Sequence, residues 1–196
     1  MDMSVAAFTP VVDLSSMPVD PHAHPLDPLS AEEIQNACAL IKTTKQLGAE
    51  CRFAMVHLHE PPKAEVIAFQ PGQALERCAF LMVFNSVTGE TYEGVVNLSR
   101  GTVVSWVQHH TETAPYGQPP VLVEDFFNCD QIVKADEGWR NAVKRRGLTD
   151  EDIKLVQVDP FSAGNFGFPL EAGKRVVRAV SYYRANRLDN AYSHPI

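Results

Sequence analysis

The chain is 196 residues long, carries 24 acidic against 17 basic side chains for a net charge of −7, and is 45% hydrophobic, an ordinary composition for a globular protein. The acidic balance argues against nucleic acid as a partner. The longest apolar run, Cys78 to Phe84, is far too short to cross a bilayer, so no membrane association is expected.

The first residues lack a basic stretch followed by a long apolar one, so no secretory signal is read there. Residues 1–21 read as a flexible arm containing Pro and Ser. A first unit is expected over 22–112. It opens on a helix at 31–47, for which Ser30 and Glu33 have capping-box spacing and Leu29 and Ile34 form a hydrophobic staple. Ile34, Ala37, Cys38 and Ile41 make one apolar stripe at helical spacing, and Gly48 is expected to close the helix. Strands are expected at 51–59, 64–69, 77–85, 91–97 and 102–108. The breakers between them are Glu60-Pro-Pro62, Pro71-Gly72, the Val87 to Glu90 turn and the Ser99 to Gly101 turn.

A polar linker at 113–120, rich in proline, separates this from a second unit at 121–196. There the expected order is a helix at 121–134, acidic at its start through Glu124 and Asp125, and a second helix at 136–146. A turn capped by Thr149 and Asp152 follows, then a strand at 154–158, a glycine-rich loop at 161–173 and a strand at 174–184. In the last strand Val176, Val180 and Tyr182 fall on one face and Val177 and Tyr183 on the other. A sheet of two strands is marginal, so the second unit is expected to be incomplete within the chain. The fold class is α+β, each unit a helix packed on an antiparallel sheet.

Few residues point to chemistry. Cys38, Cys51, Cys78 and Cys129 have no CxxC spacing and sit in apolar stretches, as buried free thiols do, with zinc ligation or disulfides as the other readings; free thiols suit a reducing, cytoplasmic setting. His57 and His59, and likewise His22 and His24, are two apart, a spacing that can grip a transition metal but equally describes exposed or core-edge histidines. His109 and His110 are adjacent. There is no G-x-S-x-G, P-loop, G-x-G-x-x-G or H-E-x-x-H. The carboxylate clusters Glu124-Asp125 and Asp150-Glu-Asp152 stand at helix starts, where they complement the dipole. Lys144, Arg145 and Arg146 do the same at a helix end.

Four stretches carry a resemblance over residues 22 to 196: His24-Pro-Leu-Asp-Pro-Leu-Ser30, Leu58-His-Glu-Pro-Pro-Lys63, Asp159-Pro-Phe-Ser-Ala-Gly164 and Tyr192-Ser-His-Pro-Ile196. In this order they resemble the second and third domains, N2 and N3, of the copper-dependent primary-amine oxidases. The resemblance implies two cystatin-like domains. It also implies membership of a homodimeric oxidoreductase that turns primary amines into aldehyde, ammonia and hydrogen peroxide with copper and topaquinone. Those cofactors belong to a catalytic domain outside this chain, supplied by the same or another polypeptide. The family's quinone-forming tyrosine lies in Asn-Tyr-Asp or Asn-Tyr-Glu, and none of Tyr92, Tyr116, Tyr182, Tyr183 and Tyr192 has that context. No catalytic residue, metal ligand or cofactor is therefore expected here, and a eukaryotic source would imply a peroxisomal setting. By the same resemblance the substrate channel is lined by Phe126, Phe161 and Tyr192; for Phe126 plain core packing on an amphipathic helix is the other reading. Two further functional classes stay open: a free-standing cystatin-like binding module, and a small metal-binding protein using the histidine pairs.

Overall fold

A computed structural model describes residues 24–74, 76–110, 113, 117–164, 166, 168–171, 174–186, 188–190 and 192–196. The expected arm at 1–21 and residues 114–116 of the expected linker lie outside the described residues. The chain divides into two units, Met1–Gln118 and Pro119–Ile196.

In the first unit, α1 (Ala31–Lys45) is followed by β1 (Cys51–Leu58), α2 (Lys63–Ala68), β2 (Cys78–Asn85), β3 (Thr91–Asn97) and β4 (Thr102–His109). The strands form one antiparallel sheet in the order β1-β2-β3-β4. The capping box forms as its spacing predicts: Glu33 N–H donates to Ser30 Oγ at 3.1 Å and Ser30 N–H to Glu33 Oε2 at 2.8 Å. Ala37 and Ile41 of α1 are wholly buried on Ala79, Leu81, Val83 and Val96. Cys38, Leu29 and Leu47 close the margin of that core.

Two local expectations are corrected. The helix ends at Lys45, not 47, and the left-handed residue is Gln46 (φ 53°, ψ 43°) rather than Gly48. Leu47 then donates its N–H to Lys42 O at 3.0 Å, and its side chain turns into the core. Burial of Leu47 thus outweighs the cost of a positive φ outside glycine. The segment at 64–69, expected as a strand, is the helix α2. Lys63, Ala64 and Glu65 are good helix formers placed after Pro62, whose carbonyl accepts the first helical bonds. Meanwhile β1 pairs directly with β2, leaving no room for a strand between them.

A bulge between Phe53 and Met55 shifts the β1 register. Phe53 and Val56 consequently both pack on the core while Met55 and His57 turn to the opposite face.

In the second unit, α3 (Val123–Ala135), α4 (Glu137–Arg145) and α5 (Asp150–Lys154) precede an antiparallel pair, β5 (Val156–Ser162) and β6 (Val177–Tyr183). Asp136 ends α3 and caps α4, accepting Trp139 N–H at 2.6 Å. Thr149 and Asp152 form the expected capping box at α5. Cys129 and Val133 of α3 pack on Val156, Val158, Val177 and Tyr183, with Trp139, Leu148 and Ile196 at the margin. The 194–196 segment runs along the second edge of β6, through Tyr183 N–H to His194 O at 2.8 Å and Ile196 N–H to Ser181 O at 3.0 Å. The expected loop at 161–173 starts too early, because Phe161 and Ser162 still pair with Arg178 and Val177. The alternation of buried Val156, Val158 and Pro160 carries the strand through the proline.

Mixed helices with one four-stranded and one two-stranded antiparallel sheet make the fold α+β. No helix among the described residues is long and apolar enough to cross a membrane.

Candidate functional site

The face of the β5–β6 ribbon away from α3 is assembled by register. Val156, Val158 and Pro160 point to the core, so Gln157, Asp159 and Phe161 point the other way. Their cross-strand partners are Tyr182, Val180 and Arg178. Val180 and Tyr182 therefore share this face, and Val177 and Tyr183 the core face, as their alternation predicts.

Aromatic groups dominate the surface. Phe161 is 48% exposed beside Arg178, whose guanidinium stands 6.0 Å over the Phe166 ring. Tyr192, 60% exposed, meets Tyr182 edge-on with ring centroids 5.0 Å apart. An Asn190 turn orients Tyr192, whose N–H donates to Asn190 Oδ1 at 2.9 Å. Polar groups between the aromatics are occupied: Gln157 donates to Asp159 at 2.8 Å and accepts from Arg184 at 3.3 Å. Phe161 and the Gln157–Tyr182 pair lie four residues apart along β5, about 13 Å at roughly 3.3 Å per residue. The face can receive an apolar surface or wall off water, and among the described residues it offers no nucleophile with an adjacent base.

Phe161 and Tyr192 thus share one face. Phe126 stands elsewhere, on α3, the helix that covers the opposite face. It is 47% exposed, and α3 reaches the core through Cys129 and Val133 instead. Val123, Phe127 and Ile132 of the same helix are also exposed. Tyr182, Phe166 and Arg178 were not singled out from the sequence. Tyr182 was legible as a face position, whereas the partners of Phe161 and Tyr192 depend on pairing across a long loop.

The remaining candidates have local structural roles. Asp125 accepts Leu122 N–H at 2.7 Å, and Asp150 pairs with Lys144 at 2.8 Å and with Arg140. Hydrogen bonds from Lys144 lead the effects that hold the Asp150 carboxyl below its ordinary range. The Asp152 carboxyl is likewise held low, first by the Thr149 hydroxyl, and its bond from Tyr183 raises the Tyr183 hydroxyl. Burial pushes the thiols of Cys38, Cys51, Cys78 and Cys129 up, which disfavours the nucleophilic thiolate.

His57 stacks on Phe80 at 4.9 Å with its Nδ1 2.7 Å from Leu58 O, and His59 just beyond β1 donates its N–H to Cys78 O at 2.9 Å. His24 accepts Leu26 N–H at 3.1 Å, and His22 is outside the described residues. His109 lies 3.1 Å from Glu93. No three His, Cys, Asp or Glu side chains among the described residues converge as metal ligands. Tyr92 is stacked on Trp106 at 4.9 Å, its hydroxyl raised first by burial and then by Glu90, in a core-margin setting rather than a metal-side one. The described residues therefore do not fit copper or a tyrosine-derived quinone.

Residues 30–106 match the family described as AGAO-like N2 domain, and residues 124–196 match copper amine oxidase, N3 domain. The chain is 37% identical over 174 residues to the primary amine oxidase of Arthrobacter sp. (strain P1), a match covering 89% of this chain and 25% of that protein. It is 32% identical over 200 residues to the histamine oxidase of Arthrobacter globiformis, covering 100% of this chain and 28% of that protein. It is 29% identical over 206 residues to the peroxisomal copper-containing diamine oxidase 1 of Nicotiana tabacum, covering 88% and 26% respectively. The chain thus spans about a quarter of the length of these relatives.

Proposed function

Because the chain belongs to the copper amine oxidase family, whose N2 and N3 domains it carries, we propose that it is the non-catalytic part of a primary-amine oxidase and helps wall that enzyme's substrate channel. In this reading 22–112 and 121–196 are cystatin-like domains joined by a linker at 113–120. The parent homodimer deaminates primary amines oxidatively to aldehyde, ammonia and hydrogen peroxide. Copper and topaquinone are held in a catalytic domain beyond these residues, and no step of that chemistry falls to the side chains described here. A cytoplasmic location, or a peroxisomal one in a eukaryote, goes with this reading.

The observation that supports the channel role is the aromatic face on which Phe161 and Tyr192 both stand, exposed, beside Tyr182. Such a surface excludes water and accommodates the hydrocarbon part of an amine while making no bond to the ammonium. The family resemblance assigns Phe126 to the channel as well, although it stands exposed on α3, which covers the opposite face of the ribbon.

The test is made in the assembled enzyme. Phe161→Ala and Phe161→Trp are compared for kcat/KM on methylamine and on a bulky aromatic amine. The ratio should move in opposite directions in the two variants, by about 10-fold or more, the scale expected when a hydrophobic pocket gains or loses a few carbon atoms. Quinone absorbance should stay unchanged. An unmoved ratio, or variants that fail only in forming the quinone, would refute the channel role.

A further inference from the structure

Each unit holds its first helix with an arginine from far along the chain. In the first unit, Arg77 donates from Nη1 to Asp27 O at 3.0 Å and from Nη2 to Pro28 O at 3.2 Å. Its Nε and Nη2 also reach the two oxygens of Glu33, at 2.9 and 3.2 Å. In the second unit, Arg175 donates from Nη1 to Pro119 O at 2.8 Å, from Nη2 to Pro120 O at 2.8 Å, and from Nη2 to Asp125 Oδ2 at 2.6 Å.

Counted from the N-cap residues Ser30 and Leu122, the acceptors are the same: the carbonyls three and two residues before the cap, and the carboxylate three residues after it. That carboxylate also accepts the N-cap N–H in both units. The burial agrees as well, with side chains 18% and 23% exposed for Arg77 and Glu33 and 18% and 24% for Arg175 and Asp125. The arginines even occupy one topological place. Arg77 leads into β2, the antiparallel partner of the first strand after α1, and Arg175 leads into β6, the partner of the first strand after α3.

We propose that Arg77 and Arg175 are equivalent positions of a duplicated unit, and that each is a clamp fixing the proline-containing lead-in of its helix to the strand beyond. A guanidinium suits the task because its planar fork addresses several acceptors at once, whereas an ammonium is a point charge. The two clamps carry unequal weight. Ser30 Oγ also caps α1, whereas Leu122 has no side-chain acceptor, so the start of α3 leans more heavily on Asp125 and Arg175. Phe126 follows Asp125 directly, so Arg175 would be its positioning residue; that corollary rests on the channel reading, and the clamp does not.

The test is hydrogen exchange, by mass spectrometry, on the full chain carrying Arg77→Lys or Arg175→Lys. Exchange in peptides covering 117–128 should quicken at least tenfold in Arg175→Lys, with 24–36 unchanged. Arg77→Lys should loosen 24–36 by a smaller factor and leave 117–128 as before. Asp125→Asn, which retains an oxygen for the Leu122 N–H, is the milder variant and should show the same quickening as Arg175→Lys. Native-like protection in Arg175→Lys and Asp125→Asn would show that neither the guanidinium fork nor the carboxylate charge holds the start of α3, and would overturn the clamp. A larger effect in the first unit than in the second would overturn the assigned imbalance. None of these outcomes depends on amine turnover, so failure here is distinguishable from failure of the channel proposal.

Discussion

Ser30→Ala isolates one hydrogen bond in a well-defined setting. The substitution removes Ser30 Oγ as the acceptor for Glu33 N–H but leaves the reverse bond, from Ser30 N–H to Glu33 Oε2 at 2.8 Å. Glu33 stays in place because Arg77 holds both of its oxygens. The loss is therefore confined to a single cap bond, about 1 kcal/mol, or a Tm fall of roughly 4–8 °C for a unit of this size. Glu33→Ala is harsher, since it strips the Ser30 N–H of its partner and leaves the Arg77 guanidinium, 18% exposed, without its carboxylate. About 2–3 kcal/mol is expected for that change. The protein's two tryptophans make the assay specific, because Trp106 lies in the first unit and Trp139 in the second. Urea melts followed by fluorescence in a Trp139→Phe background report the first unit alone. An unchanged midpoint at unchanged m-value in Ser30→Ala, or a greater loss there than in Glu33→Ala, would refute the reasoning.

Three further outcomes are expected of the first unit. Gly94→Ala would place a Cβ 2.8 Å from Trp106 Cε3 and 3.4 Å from Ile41 Cδ1. With Trp106 stacked on Tyr92, the overpacking should cost about 1–3 kcal/mol in the same melts; a native midpoint would mean that the indole moves aside freely. Ile41→Ala, at a wholly buried site, should cost about 2–5 kcal/mol, and a loss below 1 kcal/mol would show that α1 settles to fill the cavity. The pH response should follow Glu33. Burial pushes its carboxyl up, but the hydrogen bonds from Arg77 and Ser30 outweigh this and hold it below the ordinary value of 4.5. Its contribution to stability is then fully present above that value and lost as pH falls below it through the lower folded value. Midpoints measured from pH 6 down to pH 3 should decline less steeply in Glu33→Gln than in the native chain, and parallel curves would exclude Glu33 as the source.

The helix starts at Ser30 and Thr149, the apolar stripe through Ala37 and Ile41, and the division of Val177 and Tyr183 from Val180 and Tyr182 were all legible before any coordinates. Each rests on residues within a few positions of one another, where helix or strand geometry alone dictates which side chains meet. The absence of family-type quinone context around the tyrosines was equally a matter of neighbouring letters. Other features required the tertiary structure. Leu47 ended α1 early because the core had a place for it, and a bulge in β1 turned His57 away from that core. The segment at 64–69 coiled into a helix because β2 had already paired with β1. Phe161 entered a strand because Arg178 was there to pair with it, and Tyr192 joined the same face through Tyr182. The arginine clamps span 44 residues from Arg77 to Glu33 and 50 from Arg175 to Asp125. Such choices are settled by contacts between distant segments, whose closure cost and burial gain no local pattern of residues encodes.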